Sequence, residues 1–373
     1  MKSLFLAGVA TVSFSSAAHA QTELRLTGST AFRSATHTAI TKIFPAGYRA
    51  AHTGSALSSA NQAIFRGTIG TEEVILRTSW SGSVGGVQTV SQNLDVNFLP
   101  VSALPASGTS ANASTGTETG KPDVAMTDNY QAATPFPSPV LVDKLVGVVP
   151  FKWVASNGAP AGLSNINPQL AQAVFGNGSA ALSLFTGLAS DEGIKVFATG
   201  RDPDSGTRLT TFAEAGIGVN ATVVQYQPTV SSGAVASQIP WPETVVNGIT
   251  FQQGNGGYSS GGSLVTTMQA TTLAGLNGYY VSYMGLSDAN AAIGGGAKEL
   301  TYNGVLYSLD NVKNGLYTFW CYEHLMYKNT LAGVKKTVAD TLATQIETVD
   351  APIKLNEMRV GRQADGGLVT QNF

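Results

Sequence analysis

Three times along this 373-residue chain an apolar run passes through a Gly/Ser/Thr turn into a segment with helical spacing. Leu24-Arg-Leu26 leads through Thr27-Gly-Ser-Thr30 into Ala31–Ile43. Glu73–Trp80 leads through Ser81–Gly86 into a helix expected from Val87. Ile194–Ala198 leads through Arg201–Thr207 into Arg208–Ala215. A strand, a short polar turn and a helix, repeated in this way, predict an α/β architecture built on a buried sheet. In such sheets ligands gather at the carboxyl ends of the strands, where these turns lie.

The other segments fit the same alternation. Asp123–Met126 reads as a short strand ending in Thr127-Asp128, and Leu145–Val154 as a long buried strand. Leu170–Phe175 reads as a helix. Gln252–Gly262 is glycine-rich and precedes a helix from Leu264, which leads to the apolar strand Gly278–Gly285. Leu316–Met326 is expected to be a dense apolar helix, and a last helix is expected around Val334–Glu347. Residues 101–120 are rich in Ser, Thr, Ala and Gly and read as an exposed loop insertion.

The first twenty residues form a different kind of segment. Met-Lys-Ser is followed by the apolar Leu4–Ala10 and ends in Ala18-His-Ala20. A basic start, an apolar core and an Ala-x-Ala site predict a cleaved signal peptide, a mature chain beginning at Gln21, and a periplasmic or secreted protein. The apolar run is too short and mixed to span a bilayer, and no later segment reaches spanning length. Hydrophobic residues make up 43% of the chain, enough for a sizeable core. Charged residues make up only 12%, with a formal net charge of −2, so nucleic acid is not an expected partner. Cys321 is the only cysteine, so no intrachain disulfide can form, and a buried structural thiol is expected there. His37, His52 and His324 have no partner at metal-ligand spacing. They are expected to be structural, with no metal site and no cofactor.

The segment Arg201-Asp-Pro-Asp-Ser-Gly-Thr207 carries the most chemistry. It sits on a strand-to-helix turn. Ser205 or Asp204 can cap the helix, and Gly206 lets its backbone approach a ligand closely. The helix start offers free N–H groups and a partial positive charge. Arg201 adds a permanent forked cation, and Ser205 and Thr207 add hydroxyl donors. These groups suit a small oxyanion. The plainer alternative is a capped helix with a surface arginine. Gly28-Ser-Thr30 and Ser81-Gly-Ser83 repeat the same oxyanion-friendly helix start, and Thr127-Asp128 adds a carboxylate after a strand.

With these four turns the chain resembles the periplasmic phosphate-binding proteins of ABC transporters. Leu26-Thr-Gly-Ser-Thr-Ala-Phe32 is similar to the family's N-terminal Leu-Thr-Gly-(x)-Ala-Thr-Phe loop, one residue shorter here. Ser81-Gly-Ser-Val-Gly-Gly-Val87, Ala125-Met-Thr-Asp128, Arg201 to Thr207 and Tyr280–Leu286 resemble further family segments, in the same order, over most of residues 23–290. The resemblance implies a two-lobed type II binding-protein fold of α/β class, with a hinge and a central ligand cleft. It implies a site for inorganic phosphate lined by Thr30, Ala31, Phe32 (through its N–H), Ser83, Asp128, Arg201, Ser205, Gly206 and Thr207. Thr30 and Ala31 are interchangeable candidates. Where the family often has an Asp two residues after the arginine, this chain has Pro203, and Asp202 or Asp204 is available to substitute.

A carboxylate beside an anion makes sense when the ligand still carries a proton. Hydrogen phosphate can donate to Asp128, whereas sulfate meets an unpaired carboxylate and is rejected. Otherwise Asp128 merely caps a turn. The expected lobes are residues 21–150 with 283–373, and residues 151–282, with the chain crossing near Val148–Val154 and Tyr279–Tyr283. The implied partner is an ABC permease, and no enzyme chemistry or catalytic residue is expected. Two other readings stand beside this one. One is a secreted surface or matrix protein that kept the fold without transport. The other is a phosphatase using a Gly-x-Ser turn, for which no histidine base or metal cluster is in place.

Overall fold

In the computed structural model, residues 21–111, 116–246, 248–272 and 275–372 are described. The expected leader, Met1–Ala20, lies outside them, as do residues 112–115 of the 101–120 segment.

A mixed sheet of thirteen strands forms the centre of the molecule. Thr22–Gly28 lies parallel to both Glu72–Trp80 and Val124–Thr127, pairing Gly28 with Trp80 and with Met126. All three strands therefore end at one edge, and the turns that follow them emerge side by side. Leu24, Leu26, Val74, Leu76, Val124 and Met126 are fully buried. Near-continuous apolar runs of this kind are what a parallel sheet covered on both faces requires. The helices Arg33–Lys42 and Gly333–Gln345 pack near this part of the sheet.

One strand joins the two halves of the sheet. In Val142–Ala155, residues Val142–Pro150 pair with Trp320–Tyr327, whereas Phe151–Ala155 pair with Gly285–Val281 of the Gly278–Gly285 strand. Lys195–Ala198 lies parallel to Gly278–Gly285 on its other side. Trp153, at the start of the second half, packs against Phe175, Tyr283 and Phe319 with ring centroids 5.5–6.0 Å apart. Each buried aromatic of this kind contributes about 1.5–3 kcal/mol through burial, before any ring-pair preference.

Several expectations need correction. Leu316–Met326 is not a helix: Trp320–Tyr327 is a strand, buried over all eight residues and placed between Val142–Ala155 and Val124–Thr127. An apolar run buried on both faces has no period that separates strand from helix, and its Trp, Cys and Tyr content favours the strand. The helix expected from Val87 begins at Ser83, and the one expected from Leu264 begins at Gly261 behind a Ser260 cap. The helix expected from Ala31 begins at Arg33, after Phe32. The 101–120 segment is not all loop, since Thr109–Ala111 and Glu118–Gly120 are short strands. After Gly278–Gly285, Lys298–Leu300 also pairs with Ala155–Trp153, and Trp320–Tyr327 pairs with the first part of Val142–Ala155.

Gly28 is where the turn geometry permits no side chain. Its φ is +122°, and a Cβ there would lie 1.9 Å from the Met126 carbonyl oxygen. The strain and overlap predict that Gly28→Ala destabilises the protein by about 2–6 kcal/mol. Urea denaturation measures this, and an unchanged midpoint would contradict the packing of this turn.

Candidate anion-binding site

The third turn is built from the helix outward. Ser205 is the N-cap of Gly206–Glu214, and its hydroxyl accepts from the Arg208 N–H at 3.3 Å. Capping therefore falls to Ser205 and not to Asp204. Helix geometry leaves the N–H groups of Gly206 and Thr207 without intrahelical acceptors. Arg201, which precedes this helix, is almost fully buried. Its Nε donates to the Tyr258 carbonyl at 3.0 Å, and its Nη2 donates to the Ser259 carbonyl at 2.9 Å and to the Thr30 hydroxyl at 3.3 Å.

The backbone of Arg201 is held as firmly as its guanidinium. Its N–H donates to the Tyr283 hydroxyl at 3.2 Å. Its carbonyl accepts from Arg208 Nη1 and Gln225 Nε2, both at 3.1 Å. Arg208 is thus a structural cation that fixes the course of the loop. Asp202 lies within the field of Arg201 and Arg208, yet burial raises its carboxyl to about 6.

Opposite this helix stands the start of Ser83–Ser91. Its N-cap, Gly82, has φ +130°, and a Cβ there would meet the Asp204 carbonyl oxygen at 2.3 Å. The Val84 N–H donates to that same oxygen at 3.0 Å. Two helix N-termini thus face each other across the turns, each with its partial positive charge. Asn129 crosses the same gap, donating to the Thr210 hydroxyl at 2.9 Å and to the Gly206 carbonyl at 3.4 Å.

Asp128 lies beneath them, fully buried. Its N–H donates to the Ser83 hydroxyl at 3.2 Å, and the Ser29 hydroxyl donates to its carboxyl. Burial pushes the carboxyl up, while hydrogen bonds with Glu323, Ser29 and Ser83 and the charge of Arg201 pull it back. Glu323, on the strand Trp320–Tyr327, is also fully buried.

The nine expected residues fall in this region in different ways. Thr30, Ser83, Asp128, Arg201, Gly206 and Thr207 come together at the junction of the two helix starts. Ser205 uses its hydroxyl as a cap. The Phe32 N–H donates to the Ser29 hydroxyl at 3.2 Å, and the Phe32 ring is in the core. Ala31 sits against Gly285. Four participants were not picked out from the sequence: Ser29, Asn129, Arg208 and Glu323. Ser29 lies within Gly28-Ser-Thr30, where the resemblance points to Thr30. Glu323 had a signal, being the one acid inside an apolar run, and a fully buried Glu needs a partner.

Arg33 and Asp288 add charge at the rim. Burial lowers Arg33, with Asp288 opposing and Arg201 reinforcing the shift. A Cβ on Gly261 would lie 1.9 Å from an Asp288 carboxyl oxygen, which places that carboxyl at the start of Gly261–Gln269. A separate cavity of about 220 Å³, lined in part by Val84, Phe136, Leu209 and Phe251, opens beside the turns. Its lining mixes these apolar side chains with Gln88, Asp204, Arg208, Asn220 and Asn255.

The histidines have local tasks. His37 Nδ1 bonds the Leu57 carbonyl at 2.7 Å, and its Nε2 accepts from the Trp80 indole at 2.9 Å; burial lowers the imidazole to about 4. His324 pairs with Asp143 at 2.8 Å. His52 bonds the Thr53 carbonyl at 3.2 Å. Cys321 is buried, and burial pushes its thiol well up. Among the described residues no group of three His, Cys, Asp or Glu side chains could hold a metal ion, and no helix is long and apolar enough to cross a membrane.

Gly206 supplies a test of this junction. A Cβ there would meet the Ser83 hydroxyl oxygen at 2.3 Å and the Asn129 side-chain oxygen at 2.7 Å. The overlap is between the two helix starts, not within one of them. Gly206→Ala should therefore wedge the junction apart and weaken oxyanion binding at least tenfold, with a cost in stability of about 1–3 kcal/mol. Titration calorimetry beside thermal denaturation reads both. Unchanged affinity would show that the two helix starts need not close together.

No family model matches the chain, and no curated protein matches it in sequence. Among solved structures, it is similar to a Clostridium perfringens protein assigned as a phosphate ABC transporter substrate-binding protein and solved with bound phosphate. The identity is 12%, covering 89% of this chain and 99% of that one, with a TM-score of 0.49. It is similar to an ABC-type phosphate transport receptor from Vibrio cholerae, at 12% identity over 86% of this chain and 93% of that one, TM-score 0.46. It is similar to PstS from Borrelia burgdorferi, at 11% identity over 88% and 93%, TM-score 0.39. These likenesses concern the course of the chain and assign no residue a role.

Proposed function

We propose that this chain is an exported solute-binding protein that closes two lobes over inorganic phosphate, for uptake through an ABC-type permease. The observation that carries the reading is the junction itself. A buried carboxylate, Asp128, lies where two helix starts and the Arg201 guanidinium converge. Cationic and N–H donors alone would suit any oxyanion. A carboxylate among them suits one that still has a proton to donate.

The donor set is the Arg201 guanidinium, the N–H groups of Gly206 and Thr207, and the hydroxyls of Thr30, Ser83 and Thr207. Dense, preorganised donors of this kind solvate a buried anion without neutralising it fully. Asp128 then accepts the one proton of hydrogen phosphate. We place lobe one at residues 21–150 together with the chain from Trp320 onward, and lobe two between them. The sheet pairing supports that division, because Val142–Ala155 changes partners at Pro150 and the chain returns at Trp320. Closure by hinge motion about these crossings would bring the Ser83 and Gly206 turns together. Binding without turnover fits the histidines, each of which is engaged in local hydrogen bonds. Export is supported by the leader at residues 1–20.

Two outcomes test the reading by calorimetry on the chain starting at Gln21, stripped of ligand. Arg201→Ala should weaken phosphate binding by about 2–5 kcal/mol, the loss expected when one partner of a desolvated charge pair is removed. Unchanged affinity would place the essential cation elsewhere, with Arg33 next in line. Asp128→Asn should improve sulfate binding relative to phosphate, because the repulsive carboxylate is gone while the amide oxygen still accepts the phosphate proton. If the wild type binds sulfate as well as phosphate, or the ratio does not move in the variant, Asp128 is a turn residue only.

A further inference from the structure

Glu323 is a fully buried acid in the middle of the central sheet. Its strand is hydrogen-bonded on both sides, with Glu323 opposite Gly147 and the next residue, His324, opposite Thr127. The pairing with Val142–Ala155 slips between Glu323 and His324, which leaves Val146 unpaired. Slips of this kind re-aim a side chain. No donor from any other described residue reaches either carboxyl oxygen of Glu323. The antiparallel pairing of His324 with Thr127 puts Glu323 opposite Asp128, one step further along, so the two carboxyls lie side by side.

Two carboxyls in contact away from water cannot both be ionised. A shared proton removes the repulsion and makes one of them a donor. The surroundings decide which. Asp128 has the Ser29 and Ser83 hydroxyls and the field of Arg201 to stabilise its anion. Glu323 has none of these. The other ionisable groups near the pair do not change the outcome. Cys321, on the same strand, has its thiol pushed well up, and Asp365 has its carboxyl raised to about 7 by burial. His324 is held to Asp143.

We propose that Glu323 is a positioning residue for Asp128, carrying the pair's proton and donating it in a hydrogen bond that keeps Asp128 the carboxylate facing the anion. This rests on the phosphate reading for its purpose, but not for its chemistry. Glu323 is buried behind Asp128, and through Asp128 it sets how the site treats a protonated against an unprotonated oxyanion. Without that donor, burial favours the neutral acid at Asp128, and a neutral acid no longer repels sulfate. The direction of both shifts agrees: each carboxyl is raised, and Glu323 is raised further.

Two variants separate the donor from the fold. Glu323→Gln keeps the size and an N–H donor but cannot lose a proton. Glu323→Leu keeps bulk and removes the donor. Phosphate and sulfate affinities are measured by calorimetry from pH 6 to 9, and the carboxylic-acid C=O band of the ligand-free protein by infrared difference spectroscopy. At pH 9, well above the level to which burial raises Asp365, the ligand-free wild type should show a buried protonated acid that disappears in Glu323→Gln and persists in Asp128→Asn. Glu323→Gln should hold the phosphate-to-sulfate ratio within about threefold of wild type at pH 7, whereas Glu323→Leu should lower it at least tenfold. Absence of the band in wild type, or its persistence in Glu323→Gln, overturns the assignment whether or not the leucine variant folds. Equal selectivity in wild type and Glu323→Leu overturns the positioning role. A wild type that shows the band but binds no phosphate supports the proton assignment and overturns the phosphate reading.

Discussion

The central constraint on this molecule is a carboxylate without water. Asp128 is fully buried, and a lone ionised carboxyl in such a place costs several kcal/mol. Its neighbours offset that cost. Two hydroxyls, Ser29 and Ser83, come from two different turns, the charge comes from Arg201, and Glu323 reaches it from a strand distant in sequence. Removing any of these groups changes the state of the same oxygen atoms. These groups therefore form one network around the same carboxyl, and single substitutions there are not expected to add.

The sheet makes that network possible. Parallel pairing of Thr22–Gly28 with Glu72–Trp80 and Val124–Thr127 delivers the Ser29, Ser83 and Asp128 turns to one edge. Glycines then let the turns approach: Gly28 lies against Met126, Gly82 against Asp204, and Gly206 against Ser83. In each case the neighbour stands where a Cβ would be. At Gly28 and Gly82 that neighbour is a main-chain carbonyl, and at Gly206 it is the Ser83 side chain, so the turns are spaced by main chain and by one packed hydroxyl.

The second half of the sheet supplies the cation. Arg201 is fixed by carbonyls, by Tyr283 and by the buried Arg208, so its guanidinium is oriented before any ligand arrives. Preorganisation of this kind reduces the ordering cost of binding. The long strand Val142–Ala155 belongs to both halves, pairing first with Trp320–Tyr327 and then with Gly278–Gly285.

Much of this was legible in the sequence, and the boundary has a physical cause. Strand–turn–helix units are local patterns, so the α/β class, the Ser205 cap, the Arg201–Thr207 turn and the polar residues after three strands could be read directly. Local signals failed where burial was complete. Trp320–Tyr327 carries no amphipathic period because both its faces are covered, so neither its strand nor the place of Glu323 is legible from spacing. Ser29 and Thr30 are adjacent and chemically alike, and the folded turn directs the Ser29 hydroxyl to Asp128 and the Thr30 hydroxyl to Arg201. The sequence by itself determined which turns carry oxyanion chemistry, because cap, glycine and arginine must be neighbours to act together. Only the tertiary structure decided that two acids 195 positions apart meet, because strand order and register, not spacing along the chain, bring Glu323 to Asp128.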